Sequence, residues 1–209
     1  MLYTQAVEPS TLDLLKDLQS KEYLKGFYLV GGTALALRIG HRKSIDIDLF
    51  SNFGFDALQV LEKLSFDYKF NLFFSATNTL KGSIDSVQVD IIAHRYPFVK
   101  EPELIENFSM LSVEDILAMK LNAIAVNGQR VKDFIDIYYL LQRYSLAEMV
   151  SFYQKKYALG NEVNILKSII YFDDVDLTDW PILLEEPALK WSAVKKRIIQ
   201  ASLEYTKNL

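Results

Sequence analysis

Apolar positions along the chain follow two rhythms, and each predicts a different kind of element. Leu14, Leu15 and Leu18 stand at helical spacing in a segment over 10–25, with Ser10 as cap and Asp13 at the capping-box position. Residues 27–30 form a short continuous apolar run that stops at Gly31-Gly32, as a buried strand does. Residues 33–39 are helix formers closed by Gly40, a good C-terminal breaker. Residues 45–50 alternate apolar and acidic as a strand, with Ile45, Ile47 and Leu49 facing a core. A break at 52–54 precedes an amphipathic helix over 56–64. Segments 66–74, 78–84 and 86–92 are aromatic and β-branched, and turns at Ser75-Ala76-Thr77 and Asp85-Ser86 divide them into a meander of strands.

After His94-Arg95-Tyr96-Pro97 the rhythm becomes helical. Residues 112–126 carry Ser112 as cap and Asp115 as its reciprocal partner, and 131–142 resume the period after Asn127-Gly128. Residues 145–157 have Ser145 and Glu148 as a capping pair. Helices near 161–170 and over 187–205 follow, the last basic in Lys195, Lys196 and Arg197. The expectation is an α+β fold: a mixed sheet with flanking helices over 1–100, then a helical lobe over 101–209.

A length of 209 residues allows one solid core with an appended lobe. Lys+Arg 23 against Asp+Glu 27 gives a net charge of −4, which excludes an overall basic protein but leaves RNA recognition by a local patch open. The absence of cysteine excludes disulfide scaffolds, zinc-thiolate sites and cysteine nucleophiles, and two histidines cannot build a three-histidine metal site. With neither a signal-peptide pattern nor an uncharged apolar stretch long enough for a membrane helix, the chain reads as cytoplasmic, with no membrane partner.

The chemistry concentrates in Gly31-Gly32-Thr33 followed by Asp46-Ile47-Asp48. On a strand Asp46 and Asp48 project to one side, and two parallel carboxylates repel unless a cation or protons lie between them. Mg²⁺, with Mn²⁺ as a substitute, suits such hard oxygen donors; the alternative is a solvated strand face. Glycines at a strand-to-helix turn let phosphate approach the backbone, the helix start points N–H groups at an anion, and Thr33 adds a hydroxyl. The order and distance of the two motifs point to metal-dependent nucleotidyl transfer. Asp90, opposite the apolar face of Val87, Val89 and Ile91, is the candidate third carboxylate, serving as metal ligand and base; the alternative is a salt bridge. Lys120 either snorkels at the edge of an apolar helix or neutralises a phosphate across the cleft. Arg42 and Lys43 either bind NTP or acceptor or belong to a solvated turn. His41 has no partner pattern for general-base work.

The segments Gly31–Arg38, His41-Arg42 and Ser44–Phe50 closely resemble the first motif of the AbiEii/AbiGii-type nucleotidyltransferase toxins, of the DNA polymerase β-like nucleotidyltransferase superfamily. Val89-Asp90-Ile91 resembles the second catalytic strand, and residues 112–123 with 130–138 resemble the helical lysine and KD-x-x-D motifs. The resemblance implies a polymerase β-like sheet joined to a helical lobe. It implies Gly31, Gly32 and Thr33 at the triphosphate, Asp46, Asp48 and Asp90 at the metals, Lys120 on the phosphates and Asp133 as the late acid, with Asp136 as its rival. It further implies an NTP co-substrate, an RNA or tRNA acceptor, and a cognate antitoxin partner. Small-molecule or protein acceptors, and a non-catalytic NTP-binding regulatory module, are the alternatives. An RNA track could draw on Arg38, Arg42, Lys43, Arg130 and Lys132 or on the C-terminal helix. A cationic small acceptor would use Asp173, Asp174, Asp176, Glu185 and Glu186.

Overall fold

The computed structural model describes residues 1–158 and 162–207. Helix α1 (Pro9–Ser20) opens on Pro9, whose missing N–H costs nothing at a first helical position, so Glu8 holds the cap position and Ser10 lies inside the first turn. Strand β1 (Tyr28–Val30) runs directly into helix α2 (Gly31–Ile39), two residues earlier than the apolar pattern indicates. Gly31 makes that corner at φ +70°, in the left-handed region that favours glycine.

Strand β2 (Ile47–Ser51) is shorter than expected. Ile45 is 61% exposed instead of facing the core, whereas Ile47 and Leu49 are fully buried. The reason lies in partners distant in sequence. The Lys43 N–H donates to the Ile182 carbonyl and the Ser44 N–H to that of Ala6, so the segment before β2 is held away from the sheet.

Helix α3 (Ala57–Asp67) is capped by the Asp56 carboxylate, which accepts from the Leu58 and Gln59 N–H groups. Strands β3 (Asn71–Ala76), β4 (Thr79–Ile84) and β5 (Val87–Ala93) form the expected meander. Its first turn falls at Thr77-Asn78 because Asn78 takes the left-handed conformation. Its second turn, Asp85-Ser86, has φ of +48° and +70°, the tight geometry whose twist matches paired strands. A further hairpin, β6 (Glu103–Ile105) and β7 (Phe108–Met110), lies where only helices were expected and turns on Glu106-Asn107, also with positive φ.

The sheet order is β3-β4-β5-β2-β1-β7-β6, with β2–β5 and β1–β7 parallel and the other pairs antiparallel. Register places Lys81 opposite Asp90, Asp90 opposite Asp48, and Asp48 opposite Val30. One row crossing four strands therefore ends beside the Gly31 corner.

Helices α4 (Val113–Val126), α5 (Val131–Leu140), α6 (Leu146–Tyr157), α7 (Val163–Ile169) and α8 (Trp191–Thr206) make up the C-terminal lobe. Residue 161, at the expected start of α7, lies outside the described residues. Ser112 caps α4 by accepting from the Asp115 N–H. The Asp115 carboxylate accepts in turn from the Ser112 hydroxyl at 2.7 Å, lies buried against Lys156 Nζ at 2.7 Å, and accepts from the Val99 and Lys100 N–H groups, fastening α6 to α4. Ser145 and Glu148 complete a full capping box.

Candidate active site

The Gly31-Gly32 corner is shaped by what lies beneath it. A Cβ on Gly31 would collide with Asp48 Oδ2, and one on Gly32 would meet Arg42 Nη2. Backbone thus packs directly on a carboxylate, which leaves the start of α2 open to a ligand. Thr33 is buried, and its hydroxyl bonds to the Asp46 carbonyl and to Ser44 Oγ at 2.9 Å. The hydroxyl expected to face phosphate is used to hold the 44–46 loop.

Burial, and then the charge of Asp90, push the Asp48 carboxyl up to about 6, while Lys120 and Arg130 pull the other way. Asp90 is buried and receives Lys81 Nζ at 2.6 Å on Oδ2 and Gln88 Nε2 at 3.3 Å on Oδ1. Sequence reasoning missed Lys81, although counting back from the Asp85-Ser86 turn pairs 84 with 87 and so 81 with 90. Lys81→Met leaves Asp90 without its counter-charge and adds repulsion at Asp48. The variant is expected to lose about tenfold in any activity that the Asp48–Asp90 pair carries, read by steady-state assay. Because the lysine side chain is 42% exposed, unfolding should shift by less than about 1 kcal/mol.

Below the corner lies a buried charge network. Asp136 accepts from Arg42 Nε at 2.7 Å and Nη2 at 3.0 Å, pairs with Lys120 Nζ at 2.8 Å, and hydrogen-bonds His41 Nε2 at 2.7 Å. Asp133 holds the same Lys120 at 2.6 Å through Oδ1, while its buried Oδ2 has no partner. Burial would raise the Asp136 pKa, but Arg42, Lys120 and the His41 hydrogen bond hold it well below the usual carboxylate range. For Lys120 burial is likewise overridden, by Asp133 and Asp136, and its pKa rises. Burial lowers that of His41. Arg42, expected on NTP or acceptor, is instead a buried pillar under Gly32. Asp136 rather than Asp133 is the hub, and His41 is structural.

Two hollows flank the ridge formed by Gly32, Asp48 and Arg130. The larger, about 270 Å³, lies between the sheet row and α4 and includes Asp90, Lys120 and Asp133 in its wall. The smaller, about 170 Å³, has Ser44, Asp46 and Lys132 in its wall and is roofed by residues 179–182. That roof is fastened by Lys132 to Asp179 at 2.6 Å and by the Lys43–Ile182 backbone bond.

Two of the other expected cations have partners within the protein. Arg38 bonds Glu103 and the Leu111 carbonyl, and Arg197 bonds the Leu141 carbonyl. Of the acidic residues, Glu186 accepts from Tyr138 and Gln142, and Asp176 from Thr178.

Among the described residues no three carboxylate or histidine side chains converge as a ready metal cluster. Both Asp90 and Asp46 nevertheless lie close enough to Asp48 for their charges to raise its pKa. What fits a hard cation is the Asp48–Asp90 pair, adjacent in register and mutually repulsive.

The family model described as nucleotidyl transferase AbiEii toxin, type IV TA system, matches residues 13–70 and 56–205. An uncharacterized protein of Aquifex aeolicus (strain VF5) is 31% identical over 168 residues, 78% of this chain and 81% of that protein. MenT4, a nucleotidyltransferase toxin of Mycobacterium tuberculosis H37Rv, has a similar fold with a TM-score of 0.59 at 15% identity, over 94% of this chain and 84% of its own. JHP933 from Helicobacter pylori has a TM-score of 0.54 at 18% identity, over 97% and 94%.

Proposed function

The chain belongs to the AbiEii family of nucleotidyl transferase toxins, and from that premise we propose that it transfers a nucleoside monophosphate from an NTP to an acceptor hydroxyl, with RNA, tRNA in particular, as acceptor. The observation that carries this reading is the side-by-side register of Asp48 and Asp90 beneath a glycine corner whose Cβ position is filled by the Asp48 carboxylate. A phosphate chain laid on that corner meets backbone N–H groups and the Arg130 charge on the ridge.

A divalent cation, Mg²⁺ or Mn²⁺, would be held by Asp48 and Asp90 and would supply charge neutralisation at the α-phosphoryl group. The acceptor oxygen bonds to the α-phosphorus, the bond from that phosphorus to the pyrophosphate oxygen breaks, and pyrophosphate leaves. In this reading Asp90, ion-paired with Lys81, takes the proton of the attacking hydroxyl. Lys120 keeps its positive charge at the cleft wall through Asp133 and Asp136. Asp46 stands at the smaller hollow, with its carbonyl tied to Thr33.

An RNA acceptor is favoured over a cationic small molecule by the rim of the smaller hollow. Exposed Ile45 and Ile182 and the indole of Trp180 lie there with Lys43, Arg130 and Lys132, the mixture of stacking and cationic surface that suits a single strand. A cognate antitoxin is proposed as partner on the family description alone.

The test is transfer of label from each α-labelled NTP to total tRNA in the presence of Mg²⁺. Labelled tRNA with wild type and none with an Asp48→Asn variant supports the reading. Labelling of protein, or of no RNA at all, removes the RNA acceptor.

A further inference from the structure

The larger hollow has two chemically different ends. One is the charged row of Lys81, Asp90 and Asp48. The other begins two residues further along the same strand faces, where Phe50 and Ile92 are register partners. The offset is about 7 Å, the span of a ribose. His94 closes this end, with its ring 5.9 Å from that of Phe50 and 5.7 Å from that of Tyr157, and with Nε2 at 3.1 Å from the Tyr157 hydroxyl. Helix α4 supplies Met119 and Asn122 to the wall. Asn122 is half-buried, yet no hydrogen bond to its amide exists among the described residues. An amide on a partly desolvated wall needs a partner, and none of the described residues provides one. A second unpartnered group, Asp133 Oδ2, is fully buried in the same wall nearer the charged end.

We propose that the Phe50 end is a nucleobase subsite, with the base held among Phe50, Met119 and His94 and its hydrogen-bonding edge met by the Asn122 amide. Asn122 is then the residue that discriminates among bases. This rests on the nucleotidyl-transfer reading and deepens it. A flat apolar slot one ribose from a phosphate-binding corner fits a base, because stacking needs only a π-face. The amide offers one donor set and one acceptor, and can match complementary groups on a base edge.

Asn122→Asp replaces that mixed edge by acceptors only. Guanine alone has adjacent N–H donors on its Watson–Crick edge, so the variant should gain GTP affinity relative to ATP and CTP by about fivefold or more. Asn122→Leu should flatten the ratios. Phe50→Leu keeps apolar volume but removes the ring, and should weaken all four nucleotides about tenfold. The measurement is calorimetric titration of the full chain with each NTP and with inorganic tripolyphosphate, all with Mg²⁺. Tripolyphosphate occupies only the charged end, so its affinity should be the same in Asn122→Leu and Phe50→Leu, and its change in Asn122→Asp gives the effect of the added charge alone, against which the NTP ratios are read. Unchanged NTP ratios in Asn122→Asp, or NTPs binding no more tightly than tripolyphosphate, overturn the base subsite while leaving the phosphate site standing. Failure of tripolyphosphate and all NTPs to bind overturns the transfer reading, and this proposal with it.

Discussion

Asp48→Asn is expected to lower nucleotidyl transfer by about 10³-fold while leaving the protein at least as stable as wild type. The two halves of that expectation have one cause. Burial and the Asp90 charge destabilise the Asp48 anion, which is why its pKa rises to about 6. The folded state therefore binds a proton more tightly than the unfolded chain, and stability falls as pH rises between the ordinary value of 3.8 and about 6. Asparagine keeps the shape and removes the repulsion, so that pH-dependent loss should disappear together with activity. Transfer rate and thermal unfolding measured across this pH range on one preparation test both halves. A variant that loses activity only by unfolding would count against a catalytic Asp48.

Asp136→Ala should be the most damaging single truncation in the helical lobe, costing about 3–5 kcal/mol. It strands Arg42 and His41, both nearly inaccessible, and removes one of two partners from Lys120. Asp133→Ala should cost less, because Lys120 keeps Asp136. The contribution of Asp136 is present above the ordinary carboxylate value of 3.8 and drains away as pH falls below it, since its folded pKa is depressed. Urea unfolding of both variants gives the ranking. The acid limb of stability should flatten in Asp136→Ala but persist in Asp133→Ala, and equal losses would remove Asp136 as hub. Because Arg42 packs beneath Gly32, activity at temperatures where Asp136→Ala remains folded should also fall.

The strands that hold the row were legible because their apolar alternation and turn residues agree locally. Asp48 and Asp90 each oppose a fully buried face, and Asp85-Ser86 is a short polar break between β-rich runs. Lys81 was within reach of the same reasoning, since a two-residue turn sets the register. The β6–β7 hairpin was harder: three residues per strand give too little alternation to outweigh the helical texture around it. Arg42 and Asp136 are 94 residues apart, and no local pattern reports that pairing. The same blindness made Arg42 look like a ligand-binding residue, and it left Asp133 ranked ahead of Asp136 by resemblance alone. Ile45 went wrong for a related reason: its alternation is correct, but distant backbone partners hold the segment away from the sheet.

The tight Asp85-Ser86 turn has a consequence for how such a chain can diverge. Lys81 and Asp90 meet across it with a sequence separation of 9, so that interval is a chemical constant as much as a structural one. One residue added or lost within it would slip the pairing and send the lysine to the opposite side of the sheet. The link at 94–102 lies outside the strands, so its length does not set the Lys81–Asp90 register, although Asp115 holds its Val99 and Lys100 N–H groups. Over descent, length change should therefore be purged between β4 and β5. Loop length, rather than residue identity, would then be the first sign that a descendant had abandoned this chemistry.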